Sequence, residues 1–262
     1  MGVKQQVRKL LLRLQPRPYV DILSAQDQAI IEEAQQYSMT SFERLFVLID
    51  AVKHIVKNDR PGAFVECGVW RGGCVLAVLR TLMSLGVTNR DIYLYDTFEG
   101  MTMPTKYDVS AFHGSALTAW QEAQRQGVRA WNYLFDEKLF NENDVRQLLL
   151  STGYPADRLH FVKGPVEQTI PAVLPPVIAL LRLDTDWYES TRHEMQHLYP
   201  RLAPEGVLIV DDYGHWEGCR KAIDEYFSEG HSSPILLNRV DYTCRIGVKG
   251  KAEFGLSPSM AH

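Results

Sequence analysis

The chain has 262 residues, enough for one sizeable α/β core and too few for two ordinary domains. Hydrophobic residues make up 45% and charged residues 23%, a globular balance that excludes wholesale disorder. A formal net charge of -4 offers no basic surface for a phosphate backbone, so no nucleic acid partner is expected.

The first 17 residues set Lys4, Arg8, Lys9, Arg13 and Arg17 around Leu10, Leu11 and Leu12. That run falls far short of the roughly 18 apolar residues a spanning helix needs, and no small-residue cleavage site follows it. An amphipathic helix for packing or self-association is expected, with no stable membrane insertion and a cytoplasmic setting. Helices are expected over 25–36 and 41–56, where Phe42, Leu45, Phe46, Ile49, Ile55 and Val56 recur near the helical period behind Thr40 or Ser41 as cap. Residues 1–60 therefore read as an N-terminal helical extension, able to serve a homo-oligomer, which Pro61-Gly62 ends. The four cysteines, Cys67, Cys74, Cys219 and Cys244, form no CxxC pair and no zinc spacing, so reduced thiols are expected.

From 61 to 262 the rhythm is α/β. Short apolar strands are expected at 63–67, 92–95, 159–162, 177–183 and 207–210, with a helix at 74–85. Such strands, buried on both faces and alternating with helices, make a mostly parallel sheet with helices on either side. The runs 235–238 and 242–248 predict a terminal antiparallel hairpin at the sheet edge. Residues 102–150 break the rhythm. They hold Tyr107, Phe112, Trp120, Trp131, Tyr133 and Phe135 and a helix expected over 143–150 with Asn143 as cap. This insertion reads equally as a lid over a ligand or as a helical elaboration that adds core.

Ligands of open α/β sheets bind beyond the carboxyl ends of the strands. After the first strand stands Glu66-Cys67-Gly68-Val69-Trp70-Arg71-Gly72-Gly73, a glycine turn at a helix amino end that suits a carboxylate ligand. Trp70 and Arg71 depart from G-x-G-x-x-G, which disfavours a nicotinamide cofactor. Asp96 ends the second strand, where a carboxylate can accept both hydroxyls of a ribose. Asp184-Thr185-Asp186 and Asp211-Asp212 end two further strands. Four acids at adjacent strand ends would repel one another without a cation, and magnesium suits such hard oxygen ligands.

These stretches resemble the macrocin O-methyltransferase family, whose members methylate sugar hydroxyls on macrolides and aminocoumarins. The resemblance runs from Tyr37-Ser38-Met39-Thr40-Ser41-Phe42 to Tyr226 and is most specific at 64–73, at Tyr95-Asp96-Thr97-Phe98-Glu99-Gly100-Met101, at 181–191 and at Val210-Asp211-Asp212-Tyr213. It implies a Rossmann-like class I methyltransferase fold, with S-adenosyl-L-methionine and Mg2+ as cofactors. Thr40, Glu66, Cys67, Gly68, Val69 and Trp70 would hold the methionine part and ribose, Asp96 and Thr97 the ribose hydroxyls, and Gly164 the adenine side. Asp184, Asp211 and Asp212 fall on the magnesium ligands, and Asp186 where a general base is expected, with His215 as the alternative base. The implied acceptor is a small molecule with vicinal hydroxyls, such as a glycosylated bacterial natural product. A rival reading takes Asp184-Thr185-Asp186 as the D-x-D of a metal-dependent glycosyltransferase, which leaves Asp211-Asp212 and the Glu66 turn without a task.

Overall fold

A computed structural model describes residues 23–136 and 140–251. The amphipathic helix expected over the first 17 residues lies outside the described residues.

The chain opens with α1 (Ala25–Ala34) and α2 (Phe42–Lys57), capped by the side chains of Ser24 and Ser41. Ser41 rather than Thr40 is the cap of α2, since its hydroxyl accepts from the Arg44 amide at 3.3 Å. Then follow β1 (Ala63–Cys67), α3 (Gly73–Ser84) and β2 (Ile92–Asp96). The insertion contains a ribbon of β3 (Val109–Ser110) and β4 (Gly114–Ser115), then α4 (Ala116–Arg125) and α5 (Glu142–Leu150). The chain continues through β5 (Leu159–Lys163), a short α6 (Val166–Thr169), β6 (Ile178–Leu183), α7 (Tyr188–His197), β7 (Leu202–Val210) and α8 (Glu217–Ser228). It ends with β8 (Asn238–Arg239) and β9 (Arg245–Val248).

The main sheet has the order β5-β2-β1-β6-β7-β9-β8. Neighbours from β5 to β7 are parallel, and β9 joins β7 antiparallel with β8 outside it. The expected hairpin therefore forms at the edge. Strand order runs outward in opposite directions from β1, through β2 on one side and β6 on the other, so the switch point lies between β1 and β6.

Alternation along the strands feeds two cores. Phe64, Leu180, Val207 and Ile209 face α1, α2 and α3, while Val65, Leu181, Leu208 and Val210 face α7 and α8. Ile31, Leu45, Ile49, Val52 and Ile55 share the first core with the sheet, so α1 and α2 pack as one of its covering layers. All four cysteines are free and buried.

Two local expectations are corrected. The α5 cap is Asn141, two residues before the expected Asn143, because its side-chain oxygen accepts the Asp144 amide at 2.9 Å and leaves Glu142 and Asp144 in the first turn. The β7 strand begins at Leu202, not Val207. Leu202 pairs with Ile178 and the register shifts before Leu180–Val207, so Pro204, Glu205 and Gly206 form an irregularity inside one strand.

Candidate active site

A cavity of about 240 Å³ opens at the switch point. Its wall takes in Thr40, Glu66, Gly68, Val69, Trp70, Asp96, Thr97, Gly164, Asp184, Asp186, Asp211 and Asp212. Two expected residues stand elsewhere. Cys67 is fully buried behind the turn on the α7 side, with Glu194 as neighbour, and His215 sits in an aromatic cluster outside the wall.

One half of the cavity is built from backbone. Gly68 takes φ +85°, and a Cβ there would lie 1.9 Å from the Asp184 carbonyl oxygen, so only glycine lets β1 and β6 end side by side. The Asp184 amide donates to the Cys67 carbonyl at 2.9 Å across the same seam. Trp70, at φ +47°, is held by Asp96, whose Oδ2 accepts the Val69 and Trp70 amides at 2.7 and 2.9 Å. Asp96 Oδ1 accepts the Phe98 amide at 2.6 Å. Burial pushes this carboxyl up despite those three donors. The awkward Trp70 also donates from Nε1 to the Leu134 carbonyl at 3.1 Å, which ties the turn to the insertion.

The other half is built from charge. One oxygen each of Asp184, Asp211 and Asp212 can be chosen so that all lie within 4.8 Å of one another. Two arginines stand among them. Arg182, 2% exposed, donates from Nη1 to Glu66 Oε1 at 2.6 Å and Asp184 Oδ2 at 2.7 Å, and from Nη2 to Asp211 Oδ1 at 2.6 Å. Arg44 of α2 donates from Nη1 to Asp211 Oδ2, and its Nε lies 3.1 Å from Asp241 Oδ2 in the β8–β9 turn. The protein thus supplies part of the cation that the clustered acids call for. Sequence reading passed over both arginines, although an arginine inside the apolar run Leu180–Leu183 is itself a signal of a buried partner.

The compensation is incomplete. Among the described residues, Asp212 Oδ2 is buried with no hydrogen-bond donor. Burial, then Asp186, Asp184 and Asp211, push its carboxyl well above the usual range. Asp186 adopts φ +65°, and its Oδ1 accepts Trp216 Nε1 at 2.7 Å. Burial and then Asp184 push the Asp186 carboxyl up to about 8, and burial pushes Glu66 to about 8 even beside Arg182. An orphaned buried carboxylate oxygen among neighbouring acids is what a hard divalent cation would satisfy.

The insertion divides between its two readings. Phe140, Val145 and Leu149 join the core against α3, whereas Thr102 and Phe135 line the cavity. Asp108 anchors it, accepting the Tyr188 amide at the start of α7 at 2.7 Å and the Thr105 amide at 2.6 Å.

Residues 23–246 match the family described as Macrocin-O-methyltransferase. The chain belongs to this family. It is 32% identical over 200 residues to the 8-demethyl-8-(2,3-dimethoxy-alpha-L-rhamnosyl)-tetracenomycin-C 4'-O-methyltransferase of Streptomyces olivaceus, covering 76% of this chain and 71% of the relative. It is 30% identical over 193 residues to the demethyldecarbamoylnovobiocin O-methyltransferase of Streptomyces niveus, covering 74% and 68%. Among solved structures, the O-methyltransferase NovP superposes with TM-score 0.67 at 27% identity, covering 82% of this chain and 83% of that one. The calicheamicin methyltransferase CalS11 shares the fold, with TM-score 0.56 at 18% identity and coverage of 91% and 95%. This macrocin-family chain is an S-adenosylmethionine-dependent O-methyltransferase with a Rossmann-like methyltransferase fold. The D-x-D glycosyltransferase reading finds no support among these relatives. Among the described residues, no helix is long and apolar enough to cross a membrane.

Proposed function

We propose that this enzyme moves a methyl group from S-adenosylmethionine to a hydroxyl of a deoxysugar, or a similar vicinal diol, on a bacterial natural product, with magnesium at Asp184, Asp211 and Asp212. The observation that carries the metal is the unpartnered Asp212 Oδ2 within the cluster of acids. The sugar acceptor rests on the rhamnosyl-tetracenomycin, novobiocin-type and mycinamicin enzymes to which the chain is similar.

The Gly68–Trp70 turn, Glu66 and Thr40 hold the methionine end of the cofactor. Gly164 borders its adenine side. Asp96 would hold the ribose hydroxyls, with Oδ1 accepting one amide where Oδ2 accepts two. Magnesium, when bound, supplies positive charge that eases loss of the acceptor hydroxyl's proton. Asp186 accepts that proton, fixed in orientation by Trp216. Met101, with Thr102 and Phe135 of the insertion, helps exclude water while the hydroxyl oxygen and the methyl carbon are aligned.

Titration calorimetry with S-adenosylmethionine, magnesium and nucleotide sugars tests the reading, together with methyl transfer before and after chelation. Binding of S-adenosylmethionine and loss of transfer in chelator are expected. An unchanged rate after chelation would remove magnesium from the proposal, and binding of a nucleotide sugar without S-adenosylmethionine would remove the activity.

A further inference from the structure

Beside the acids lies a cluster of aromatic rings of which only Trp216, the residue that orients Asp186, has a part in methyl transfer as described. Three segments distant in sequence meet there: Phe112 and His113 from the β3–β4 loop, His215 and Trp216 from the turn after β7, and Tyr242 from the β8–β9 turn. Phe112 stacks on His215 with centroids 5.6 Å apart and planes only 2° from parallel. Tyr242 meets Phe112 edge-on at 5.3 Å, and its hydroxyl lies 3.1 Å from His215 Nδ1. This convergence depends on Gly214, where a Cβ would lie 1.9 Å from the Tyr242 carbonyl oxygen, so any side chain would push the hairpin away.

The cluster is continuous with the site. The amides of His215 and Trp216 donate to the Asp212 carbonyl at 2.9 and 3.0 Å, and Trp216 is the residue that holds Asp186. Trp216 is nearly buried, whereas Phe112 is 67% and Tyr242 47% exposed. A single exposed phenylalanine is ordinary. A parallel stack with an open outer face, braced by an edge-on tyrosine and joined to the acids through one turn, is a surface shaped for a flat ring.

We propose that Phe112, His215 and Tyr242 form a stacking ledge for the planar apolar scaffold that carries the acceptor sugar, while the sugar itself reaches Asp186 and the acids. The inference rests on the reading above that the acceptor is a glycoside. It makes the scaffold a determinant of affinity, and it makes His215 a packing partner of the acceptor, with proton transfer left to Asp186.

The test compares two probes that differ only in the group attached to the sugar, 4-methylumbelliferyl α-L-rhamnoside and methyl α-L-rhamnoside, titrated calorimetrically into the full chain with magnesium. The aryl glycoside is expected to bind about tenfold tighter, the scale of one good aromatic contact plus its buried area. Phe112→Ala should bring the aryl glycoside down to the affinity of the methyl glycoside, and Tyr242→Ala should remove part of the advantage, with thermal melting confirming that both variants fold. Equal affinity of the two probes for the native enzyme, or an advantage that survives both substitutions, overturns the ledge. So does a dimer that Phe112→Ala dissociates in place of aryl binding, since the face would then seat a second copy. S-adenosylmethionine binding, measured separately, reports on the methyl-transfer reading without bearing on this result.

Discussion

The two halves of the cavity hold their shape by different means. Around Gly68–Trp70 the groups that matter are main-chain amides, and Asp96 gathers three of them with its own carboxylate. Around Asp184, Asp211 and Asp212 they are side-chain charges, balanced in part by Arg182 and Arg44. The first half is therefore complete before any ligand arrives. The second retains a buried oxygen without a donor among the described residues. Cofactor binding and catalysis should accordingly respond to different substitutions.

The largest effect is expected where the halves touch. Gly68→Val would drive a side chain into the Asp184 backbone at a positive φ and should abolish both cofactor binding and activity, with a stability loss of about 3 kcal/mol or more in urea melts. Retention of S-adenosylmethionine binding by this variant would show that the seam is not rigid. Next, Asp184→Ala should lower kcat by roughly 10³-fold while cofactor affinity stays within about threefold, because only the charged half is damaged. A parallel fall in cofactor affinity, measured by calorimetry, would erase the distinction between the halves.

Arg44→Ala should act more mildly. It leaves Asp211 paired with Arg182 and leaves only the Ser41 hydroxyl, 3.3 Å from Asp241 Oδ2, between the start of α2 and the β8–β9 turn, with an expected cost of about 2 kcal/mol and a tenfold drop in kcat. An unchanged urea midpoint would show that the hairpin docks without this clasp. The smallest effect concerns Glu194, fully buried beneath the cavity with Thr185 Oγ1 donating to both its oxygens at 3.0 and 3.2 Å. Burial raises its carboxyl well above the usual range, so the folded chain holds this proton to a higher pH than the unfolded chain does. Folded protein then binds the extra proton, and stability falls as pH rises above the ordinary glutamate range. Glu194→Gln should therefore raise the melting temperature by a few degrees at pH 7 and by less at pH 4. An equal gain at both values would mean that the proton is not the cause.

Much of the site was legible because it is local. A short apolar strand ending in an acid places that acid at the rim of a parallel sheet whatever the neighbouring strands are, and this alone set Glu66, Asp96, Asp184, Asp211 and Asp212 in one region. The resemblance to the macrocin family rested on the same short stretches. Boundaries that depend on a competition between neighbours read less well. Asn141 and Asn143 are chemically equivalent caps, and only the packing of Val145 and Leu149 against α3 selects the first. Pro204-Glu205-Gly206 has the composition of a turn, and pairing with β6 makes it part of a strand.

The sequence by itself determined the α/β alternation, the glycine turn after β1 and the acids at the strand ends, since each follows from periodicity or steric demand within a few residues. Only the tertiary structure decided which cations meet those acids. Arg44 lies 167 residues from Asp211 along the chain, and Phe112, His215 and Tyr242 come from three separate loops. Contacts of that span are fixed by how whole helices and hairpins pack against the sheet, and no local pattern carries that information.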